Sequence, residues 1–244
     1  MATVLVTGAT SGLGEALTLK LAKEGHEVIA CGRNKDKLIT LDHLDLVTTV
    51  SFDVTNIDAT HEALKNISAD YYVLNAGTCE YIDINDVEAD MFKRVFEANV
   101  LGVSNVMSAV LPNCRAGNTL VFVDSLARLL PFPRSEAYGA SKAALYYMAK
   151  SFAVDLHKLG IHVKTMSPGF VKTPLTDKND FPMPMQITAE DAAEYMYKGL
   201  FSRSSTVYFP RRFSFIIRAL HALPDFIQHK LCVGMARNVS RHAK

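Results

Sequence analysis

Short apolar runs alternate along the chain with longer stretches of helical periodicity. Runs rich in Val, Ile, Leu and Phe predict strands near 3–7, 27–32, 47–52, 70–75, 118–124, 161–167 and 204–209. Helices are predicted between them near 12–24, 57–67, 88–115, 137–159 and 189–201. Such alternation is typical of parallel strands covered by helices on both faces. The pattern therefore predicts an α/β fold with a doubly wound, seven-stranded, mainly parallel sheet.

Composition and charge narrow the class of protein. The chain has 244 residues, of which 49% are hydrophobic and 21% charged, as in an ordinary globular protein. The net charge of +1 argues against a nucleic-acid binder. The four cysteines form no CxxC pair or zinc-like cluster, so we expect reduced thiols and no metal site. No signal peptide precedes the first strand, and no apolar run approaches the ~18–20 residues of a membrane span, so we expect a cytoplasmic protein.

The last part of the chain differs in charge from the rest. Residues 1–210 carry 19 basic and 24 acidic side chains, whereas residues 211–244 carry seven Lys or Arg and one acid, Asp225. The segment 213–223 is strongly apolar and predicts a short helix before Pro224. We therefore predict a single domain over 1–210 and a basic, amphipathic helical extension over 211–244. The extension could pack over a pocket or subunit interface, lie on an anionic membrane, or contact another protein.

A glycine-rich loop follows the first strand. Gly8, Gly12 and Gly14 allow a tight turn and a close backbone approach to a pyrophosphate at the start of the first helix. The spacing is Gly-x-x-x-Gly-x-Gly, which differs from the common Gly-x-Gly-x-x-Gly fingerprint. The remaining loop residues predicted to contact a dinucleotide are Thr10, Ser11 and Leu13.

The end of the second strand indicates which dinucleotide binds. An acidic residue at this place would bind the ribose hydroxyls of NAD, but the chain has Gly32 followed by Arg33. A guanidinium can donate two hydrogen bonds to the adenosine 2′-phosphate of NADP. The sequence thus favours NADP(H) over NAD(H). The alternative is that Arg33 is a solvated loop cation.

Two further segments end strands where ligands bind in open α/β sheets. Asp53 and Val54 close the third strand, and Asn75, Ala76 and Gly77 close the fourth. Asp53 could accept a hydrogen bond from an adenine amino group. An aspartate after a strand is also a common helix cap or turn residue.

Three residues further along predict proton chemistry. Tyr138 and Lys142 are four residues apart and share one helix face, so the ammonium should lower the phenol pKa from ~10 toward neutrality. Ser125 ends the apolar fifth strand, thirteen residues before Tyr138, and can hydrogen-bond a developing alkoxide. No His or acid is spaced for a nucleophile elbow, so Ser125 is not interpreted as a covalent nucleophile.

Taken together, these motifs resemble the short-chain dehydrogenase/reductase (SDR) family. They occur in family order over residues 3 to about 209, and they include Asn99 of an Asn-Val-Leu-Gly segment. The resemblance implies a Rossmann-type domain that binds a dinucleotide and performs catalysis. It also implies that Tyr138 is the general acid or base, Lys142 binds the nicotinamide ribose and tunes Tyr138, Ser125 orients the carbonyl, and Asn99 holds a water that links Lys142 to solvent. The residues implied to position the nicotinamide ring are Pro168, Gly169, Val171 and Thr173.

The expected activity is an NADP-dependent carbonyl reductase or alcohol dehydrogenase. The segment 178–185 has the place of the family's substrate lid and contains Phe181, Pro182 and Met183, which favours a fairly apolar small-molecule substrate. An equal alternative is a loop that folds onto the core for packing alone. The alternatives are an NADP(H)-binding regulator or sensor with little turnover, and a sugar-nucleotide epimerase. The resemblance implies a homo-oligomer, a dimer or a tetramer, although the unusual extension makes the common tetramer less favoured.

Three residues depart from the family pattern. Asp124 replaces a common second Ser, and we expect it to affect packing only. Arg128 replaces a common Gly, and it could lie at the substrate mouth, as could Arg134. Solvated loop cations are the expected interpretation of both arginines.

Overall fold

The protein folds around one parallel sheet, which confirms the predicted fold class. The computed structural model describes residues 1–179 and 181–242. The strand order is β3-β2-β1-β4-β5-β6-β7, and each neighbouring pair is parallel. The strands are β1 Thr3–Thr7, β2 Glu27–Gly32, β3 Val47–Ser51, β4 Tyr71–Leu74, β5 Thr119–Val123, β6 His162–Pro168 and β7 Thr206–Phe209. The order reverses between β1 and β4, which opens a crevice at the carboxyl ends of these strands.

Helices cover both faces of the sheet. They are α1 Gly12–Lys23, α2 Lys35–Asp42, α3 Ile57–Leu64, α4 Ala89–Phe96, α5 Gly102–Val110, α6 Glu136–His157, α7 Ala189–Leu200, α8 Arg211–His221 and α9 Asp225–His242. The core on one face includes Leu17 of α1 and Met196 of α7. The core on the other includes Val106 of α5 and Leu145 of α6. Because both faces are covered, β5 is buried along its whole length, and all its residues after Thr119 are apolar.

The sequence pattern did not predict α2. This helix is only eight residues long, and Leu38 and Leu41 are its buried residues. Its start is fixed locally, since the Asn34 side chain accepts a hydrogen bond from the Lys37 amide at 3.1 Å. A short helix with so small an apolar face gives little periodic signal.

The predicted helix over 88–115 is interrupted. A π-helical segment, Glu97–Leu101, separates α4 from α5, and a 3₁₀ turn at Leu111–Asn113 follows. A π-segment inserts an extra residue into the helical repeat, which redirects the side chains around it. The helical stretch Ala89–Asn113 has the length and the apolar composition of a membrane-spanning helix, which the sequence pattern did not predict. Val103, Val106 and Val110 of this stretch are buried in the protein core.

A buried lysine caps the carboxyl end of α7. Lys164 of β6 donates hydrogen bonds to the carbonyls of Gly199, Leu200 and Ser202, at or just beyond the carboxyl end of the helix. Gly199 and Leu200 are the last two residues of α7, and their carbonyls carry the negative end of its dipole. Burial lowers the pKa of Lys164. The contact connects α7 to the sheet through one side chain.

The C-terminal helices pack on the loop after β5. Phe213 and Ile217 of α8, together with Cys232 of α9, form a separate apolar cluster with Leu126, Leu129 and Leu130. The extension therefore lies against the carboxyl end of the sheet, where the predicted site residues are found. Ala243 and Lys244 at the end of the predicted extension, and Asp180 of the predicted lid, lie outside the described residues.

Candidate active site

A polar cavity of about 450 Å³ lies at the carboxyl ends of the first four strands. Of the residues predicted to contact a dinucleotide, those lining it are Gly8, Thr10, Ser11, Arg33, Asp53, Val54, Ala76 and Gly77. Gly12, Leu13 and Gly14 follow in the first turn of α1. Ser11 makes no side-chain cap to this turn, which leaves its amides without a side-chain acceptor. Such a helix start can bind an anion.

The glycine loop is packed too tightly to accept larger side chains. Gly8 has a φ of +69°, in the left-handed region that favours glycine. A Cβ placed on Gly14 would lie 2.2 Å from the Gly8 carbonyl oxygen and 2.6 Å from Asn75 Nδ2. The Asn75 side chain donates to the Thr7 carbonyl at 3.0 Å, so it joins β4 to β1. Asn75 thus holds the glycine loop in place through its hydrogen bond to Thr7, and it does not line the cavity.

Arg33 and Asp53 are in contact across the mouth of this cavity. Arg33 Nη1 lies 3.0 Å from Asp53 Oδ2, and 74% of the arginine side chain is exposed. Burial opposes ionisation of Asp53, but hydrogen bonds from Thr55 and the Arg33 charge outweigh it and lower the pKa of the carboxyl. The residue predicted to bind a 2′-phosphate therefore pairs with the residue predicted to bind adenine. A ligand phosphate would compete with Asp53 for the guanidinium.

The predicted ring-positioning residues lie at and beyond the end of β6. Gly169 follows Pro168 and donates from its amide to the Phe209 carbonyl at 2.7 Å. Val171 forms an isolated parallel bridge with Ile187. The Thr173 side chain lies over the start of α1, because a Cβ on Gly12 would be 3.1 Å from it. The segment 168–173 therefore extends from the amides at the start of α1 to a second cavity, which Gly169 lines.

Ser125 lies at the centre of a tight turn after β5. Its hydroxyl accepts from the Ala127 amide at 3.1 Å and lies 3.4 Å from the Pro168 carbonyl, to which it donates. It thereby caps the 3₁₀ turn Leu126–Arg128. Ser125 is 7% exposed, and it reaches the same cavity as Tyr138 of α6. The structure thus brings together two side chains that are thirteen residues apart in the sequence.

Lys142 does not act on Tyr138 as the sequence suggested. Its Nζ donates to the Val123 carbonyl at 2.9 Å and lies 5.8 Å from the centre of the Tyr138 ring. Burial raises the pKa of Tyr138; Cys79 and Asp124 act in the same direction, and the Ser125 hydroxyl opposes them only in part. The expected lowering toward neutrality is therefore wrong for this geometry. Burial also lowers the pKa of Lys142 to about 8, against the raising influence of Asp124 and Cys79.

Asn99 is fully buried within the π-segment. Its Oδ1 accepts from the Thr78 amide at 2.7 Å, and its Nδ2 donates to the Thr78 carbonyl and the Ser141 hydroxyl, each at 2.9 Å. A Cβ on Gly77 would lie 2.7 Å from Asn99 Oδ1 and 3.6 Å from Lys142 Nζ. Asn99 and Lys142 therefore approach the same glycine from different helices.

A second, apolar cavity of about 410 Å³ opens beside Ser125 and Tyr138. The predicted lid contributes Phe181, Pro182 and Pro184 to its wall. Aromatic contacts continue from Tyr81 to Phe181, from Phe181 to Phe170, and from Phe170 to Phe213 of α8. Wall residues from outside the lid that the sequence did not indicate include Cys79, Tyr81, Leu126, Phe132, Phe170, Phe213, Ile217 and Met235. The apolar run of the extension was the one signal that could have indicated Phe213 and Ile217.

The expectation for Arg128 is also wrong. Its side chain is only 7% exposed, and its Nε donates to Asp124 Oδ2 at 2.7 Å. The guanidinium also lies over the Tyr146 ring, so Arg128 is a buried partner and not a solvated cation. It does not line the apolar cavity, whereas Arg134 does and donates from Nε to the Ile82 carbonyl at 3.2 Å. Asp124 forms a buried ion pair, and its role is therefore more than packing.

Comparison with known proteins assigns the family. Residues 2–182 match the sequence profile of short chain dehydrogenases. An oxidoreductase of Myxococcus xanthus is 38% identical over 235 residues, which cover 91% of this chain and 93% of that protein. The chain belongs to the short-chain dehydrogenase/reductase family of oxidoreductases.

More distant relatives carry information on ligands. The NADPH-dependent 1-acyldihydroxyacetone phosphate reductase of Schizosaccharomyces pombe is 31% identical, covering 81% of this chain and 69% of that enzyme. A short chain dehydrogenase from Burkholderia cenocepacia in complex with NADP has a TM-score of 0.83 and 25% identity, covering 94% of this chain and 97% of that one. The closed form of a serine dehydrogenase complexed with NADP+ has a TM-score of 0.78 and 26% identity, covering 85% of this chain and 94% of that one.

Proposed function

We propose that this protein is an NADP(H)-dependent oxidoreductase that interconverts a carbonyl and an alcohol on a fairly apolar small molecule. The observation that carries the proposal is the position of Ser125 and Tyr138. Both line the apolar cavity, while buried Lys142 lies behind them against β5. Hydroxyl donors at the wall of a water-poor cavity suit a reaction in which an oxygen gains or loses a proton.

The residues of the polar cavity fit a dinucleotide. The tight Gly8–Gly14 packing leaves backbone at the surface where a pyrophosphate needs close approach, and the uncapped start of α1 suits its charge. Arg33 would hold the adenosine 2′-phosphate, Asp53 the adenine, and the segment from Pro168 to Thr173 the nicotinamide. When bound, NADPH supplies the hydride. Solved relatives in complex with NADP support this choice of cofactor.

The chain's own residues would handle the proton. Because burial raises the pKa of Tyr138, its phenol is protonated at neutral pH and can act as the general acid in carbonyl reduction. Ser125 would turn its single hydroxyl proton from the Pro168 carbonyl to the same substrate oxygen and donate a second hydrogen bond to it. Lys142 would bind the nicotinamide ribose. Asn99, which approaches Gly77 together with Lys142, would hold the water that returns protons from solvent.

The wall of the second cavity supports an apolar substrate. Phenylalanine side chains from the lid, from the loop after β6 and from α8 surround the space next to Tyr138. A cavity of about 410 Å³ accommodates a ligand of moderate size. The Schizosaccharomyces pombe relative is a reductase of 1-acyldihydroxyacetone phosphate, an acylated substrate. We propose ketones or aldehydes with an alkyl or acyl chain as the substrate class.

The decisive experiment compares two tyrosines of α6. Tyr138→Phe should reduce turnover of a ketone and aldehyde panel with NADPH by at least ~10²-fold, because the general acid is lost. NADPH binding, followed by nucleotide fluorescence, should change little. Tyr147→Phe is the matched control, since Tyr147 is 78% exposed on the same helix. Retained turnover in Tyr138→Phe would refute the role of Tyr138.

A regulator or sensor that binds NADP(H) is the second candidate. The buried Asn99 and Lys142 beside the hydroxyls of Ser125 and Tyr138 favour an enzyme, because a binding protein does not need this set. The sensor interpretation predicts tight NADPH binding by the wild type with no turnover on any substrate of the panel. A clear rate on one carbonyl would exclude it.

The cofactor preference has its own test. Arg33→Ala should weaken NADPH binding by ~10-fold or more and leave NADH binding nearly unchanged, because only NADP carries the 2′-phosphate. Arg203→Ala, at an exposed loop position, is the control. Equal weakening for both nucleotides, or a wild-type preference for NADH, would contradict the assignment of Arg33.

The outward surfaces support two further proposals on partners. Leu101, Tyr147 and Val154 are large, exposed apolar residues on the π-segment and α6, which suits a homo-oligomer. Light scattering should detect a dimer or larger, and Val154→Lys should favour the monomer.

On the extension, Phe215 and Phe226 are 72% and 63% exposed beside basic residues, which suits contact with an anionic membrane. Sedimentation with phosphatidylserine vesicles tests this, and absence of binding by the full chain would contradict it.

A further inference from the structure

The two departures from the family pattern beside Ser125 form one ion pair. Arg128 Nε donates to Asp124 Oδ2 at 2.7 Å, and the two side chains are 7% and 0% exposed. The partners flank Ser125 in the sequence, one directly before it and the other three residues after it. The pair therefore closes the turn whose hydroxyl lines the apolar cavity.

Arg128 also connects this turn to the helix that carries Tyr138 and Lys142. Its guanidinium carbon lies 3.4 Å from the centre of the Tyr146 ring, and its Nη2 lies 3.3 Å from the Tyr208 hydroxyl. Tyr146 is one helical turn beyond Lys142 and two turns beyond Tyr138, so the three side chains share one face of α6. The stacked guanidinium thus fixes the Ser125 turn against the catalytic face of α6.

A buried ion pair stabilises a turn only at a high cost in desolvation free energy. Burying two charges costs several kcal/mol per ion in desolvation, and apolar residues of similar volume are often as stabilising. Asp124 Oδ1 is buried without a hydrogen-bond partner within the part of the chain that the structure describes. Burial raises the pKa of Asp124 to about 6, with Arg128 and Ser167 opposing it. Stability alone does not account for this arrangement.

The electrostatic surroundings of Lys142 indicate what the carboxylate does. Lys142 Nζ donates to the carbonyl of Val123, the residue directly before Asp124, at 2.9 Å. Asp124 and Cys79, which lies in the loop after β4, both influence the charge of this lysine, and Tyr138 lies beside it on α6. Asp124 is the acidic group among these neighbours that is ionised at neutral pH. Its charge stabilises the ammonium form of Lys142, which burial disfavours.

We propose that the Asp124–Arg128 pair is a positioning and charge-setting element of the active site. It fixes Ser125 relative to Tyr138 through the stacking of Arg128 on Tyr146. Its carboxylate favours the protonated form of Lys142. Neither residue contacts the reacting atoms, so both act through Ser125, Tyr138 and Lys142. This inference rests on the proposed carbonyl–alcohol chemistry.

The test compares Asp124→Asn with the double variant Asp124→Asn/Arg128→Met. The double variant removes both charges and keeps an unbranched side chain on Tyr146, so it should fold even if the single variant, with its unpaired buried cation, does not. The measurements are kcat and KM for a reducible ketone between pH 6 and 10, the NADPH Kd, and the Tm. A matched exposed pair, Glu62→Gln/Lys65→Met on α3 and the residue after it, is the control.

The pair should affect kcat and its pH dependence without loss of folding. We expect kcat at pH 7 to fall about 10-fold in the double variant, with NADPH Kd changed less than about threefold. The alkaline limb of kcat should move to lower pH by about one unit, because the charge that raises the pKa of Lys142 is gone. In Asp124→Asn the limb should move further, since the Arg128 charge is then unopposed. The control pair should leave kcat and the limb unchanged.

The outcomes separate this inference from the proposed function. No turnover by the wild type on the panel would overturn the proposed function first. An active wild type with unchanged kcat and pH limb in the variants would overturn the inference alone. A lowered kcat with an unmoved limb and a lowered Tm would also overturn it, because that combination describes a merely structural pair.

Discussion

Gly14 offers a direct test of how tightly the nucleotide loop is built. A Cβ at this position would lie 2.2 Å from the Gly8 carbonyl oxygen and 2.6 Å from Asn75 Nδ2, far inside any normal contact. In Gly14→Ala the loop must therefore move by about 1 Å. Overpacking of this kind costs about 1–3 kcal/mol, which for a protein of this size lowers the Tm by about 2–12 °C.

The same displacement should weaken nucleotide binding. Moving the α1 amides from their positions removes about one charge-assisted hydrogen bond to the pyrophosphate, worth ~1.5–3 kcal/mol, so the NADPH Kd should rise ~10- to 100-fold. NADPH fluorescence titration and thermal unfolding measure the two effects. Gly234→Ala is the matched control, because a Cβ at Gly234 of α9 meets nothing within 4 Å. A Gly14→Ala protein with NADPH affinity within twofold of wild type and an unchanged Tm would refute the reasoning.

Three further predictions concern stability, specificity and pH. Lys164→Met should lower the free energy of unfolding by about 3 kcal/mol, because the carbonyls of Gly199, Leu200 and Ser202 lose a charged donor; an unchanged urea midpoint would contradict this. Phe213→Ala should shift kcat/KM toward ketones with bulkier chains, since the removed ring forms part of the cavity wall, and an unchanged ranking across an alkyl ketone series would refute that role. The pKa of Lys142 is about 8 in the folded protein and 10.5 as its ordinary value. Between these pH values the unfolded chain holds a proton that the folded protein has lost. The contribution of Lys142 to the free energy of unfolding therefore grows as the pH rises from 8 to 10.5. The unfolding free energy of wild type relative to Lys142→Met should therefore rise by at most about 3 kcal/mol from pH 8 to 10.5, and a difference that stays constant with pH would be evidence against the shifted pKa.

The positions of several site residues could be predicted, because they depend on the order of strands, loops and helices along the chain. A glycine loop directly after β1 and a serine directly after β5 must both lie at the carboxyl edge of a parallel sheet, once alternating strands and helices predict that sheet. The Tyr138–Lys142 spacing likewise places both residues on one helix face. Their assigned roles remain proposals, but the places of these residues in the fold followed from period and order.

Other features depend on distances that no periodicity encodes. The π-segment around Asn99 interrupts a stretch whose apolar pattern predicts one continuous helix, because a single extra residue barely alters the pattern. The predicted fall in the Tyr138 pKa fails for a similar reason. Sequence spacing gave the shared face, but burial and the turn of Lys142 toward Val123 decided the sign.

The sequence alone determined the α/β class, the approximate positions of the seven strands along the chain, and the polar residues that follow them at the carboxyl edge of the sheet, because backbone periodicity and the order of the elements along the chain fix them. The tertiary structure decided how that edge is completed. It brought Phe213 and Ile217 of α8 and Met235 of α9 into the wall of the apolar cavity that the lid also lines, and it joined two departures from the family pattern in a buried ion pair beside Ser125. Such packing depends on which surfaces exclude water together, and that is a property of the folded chain as a whole.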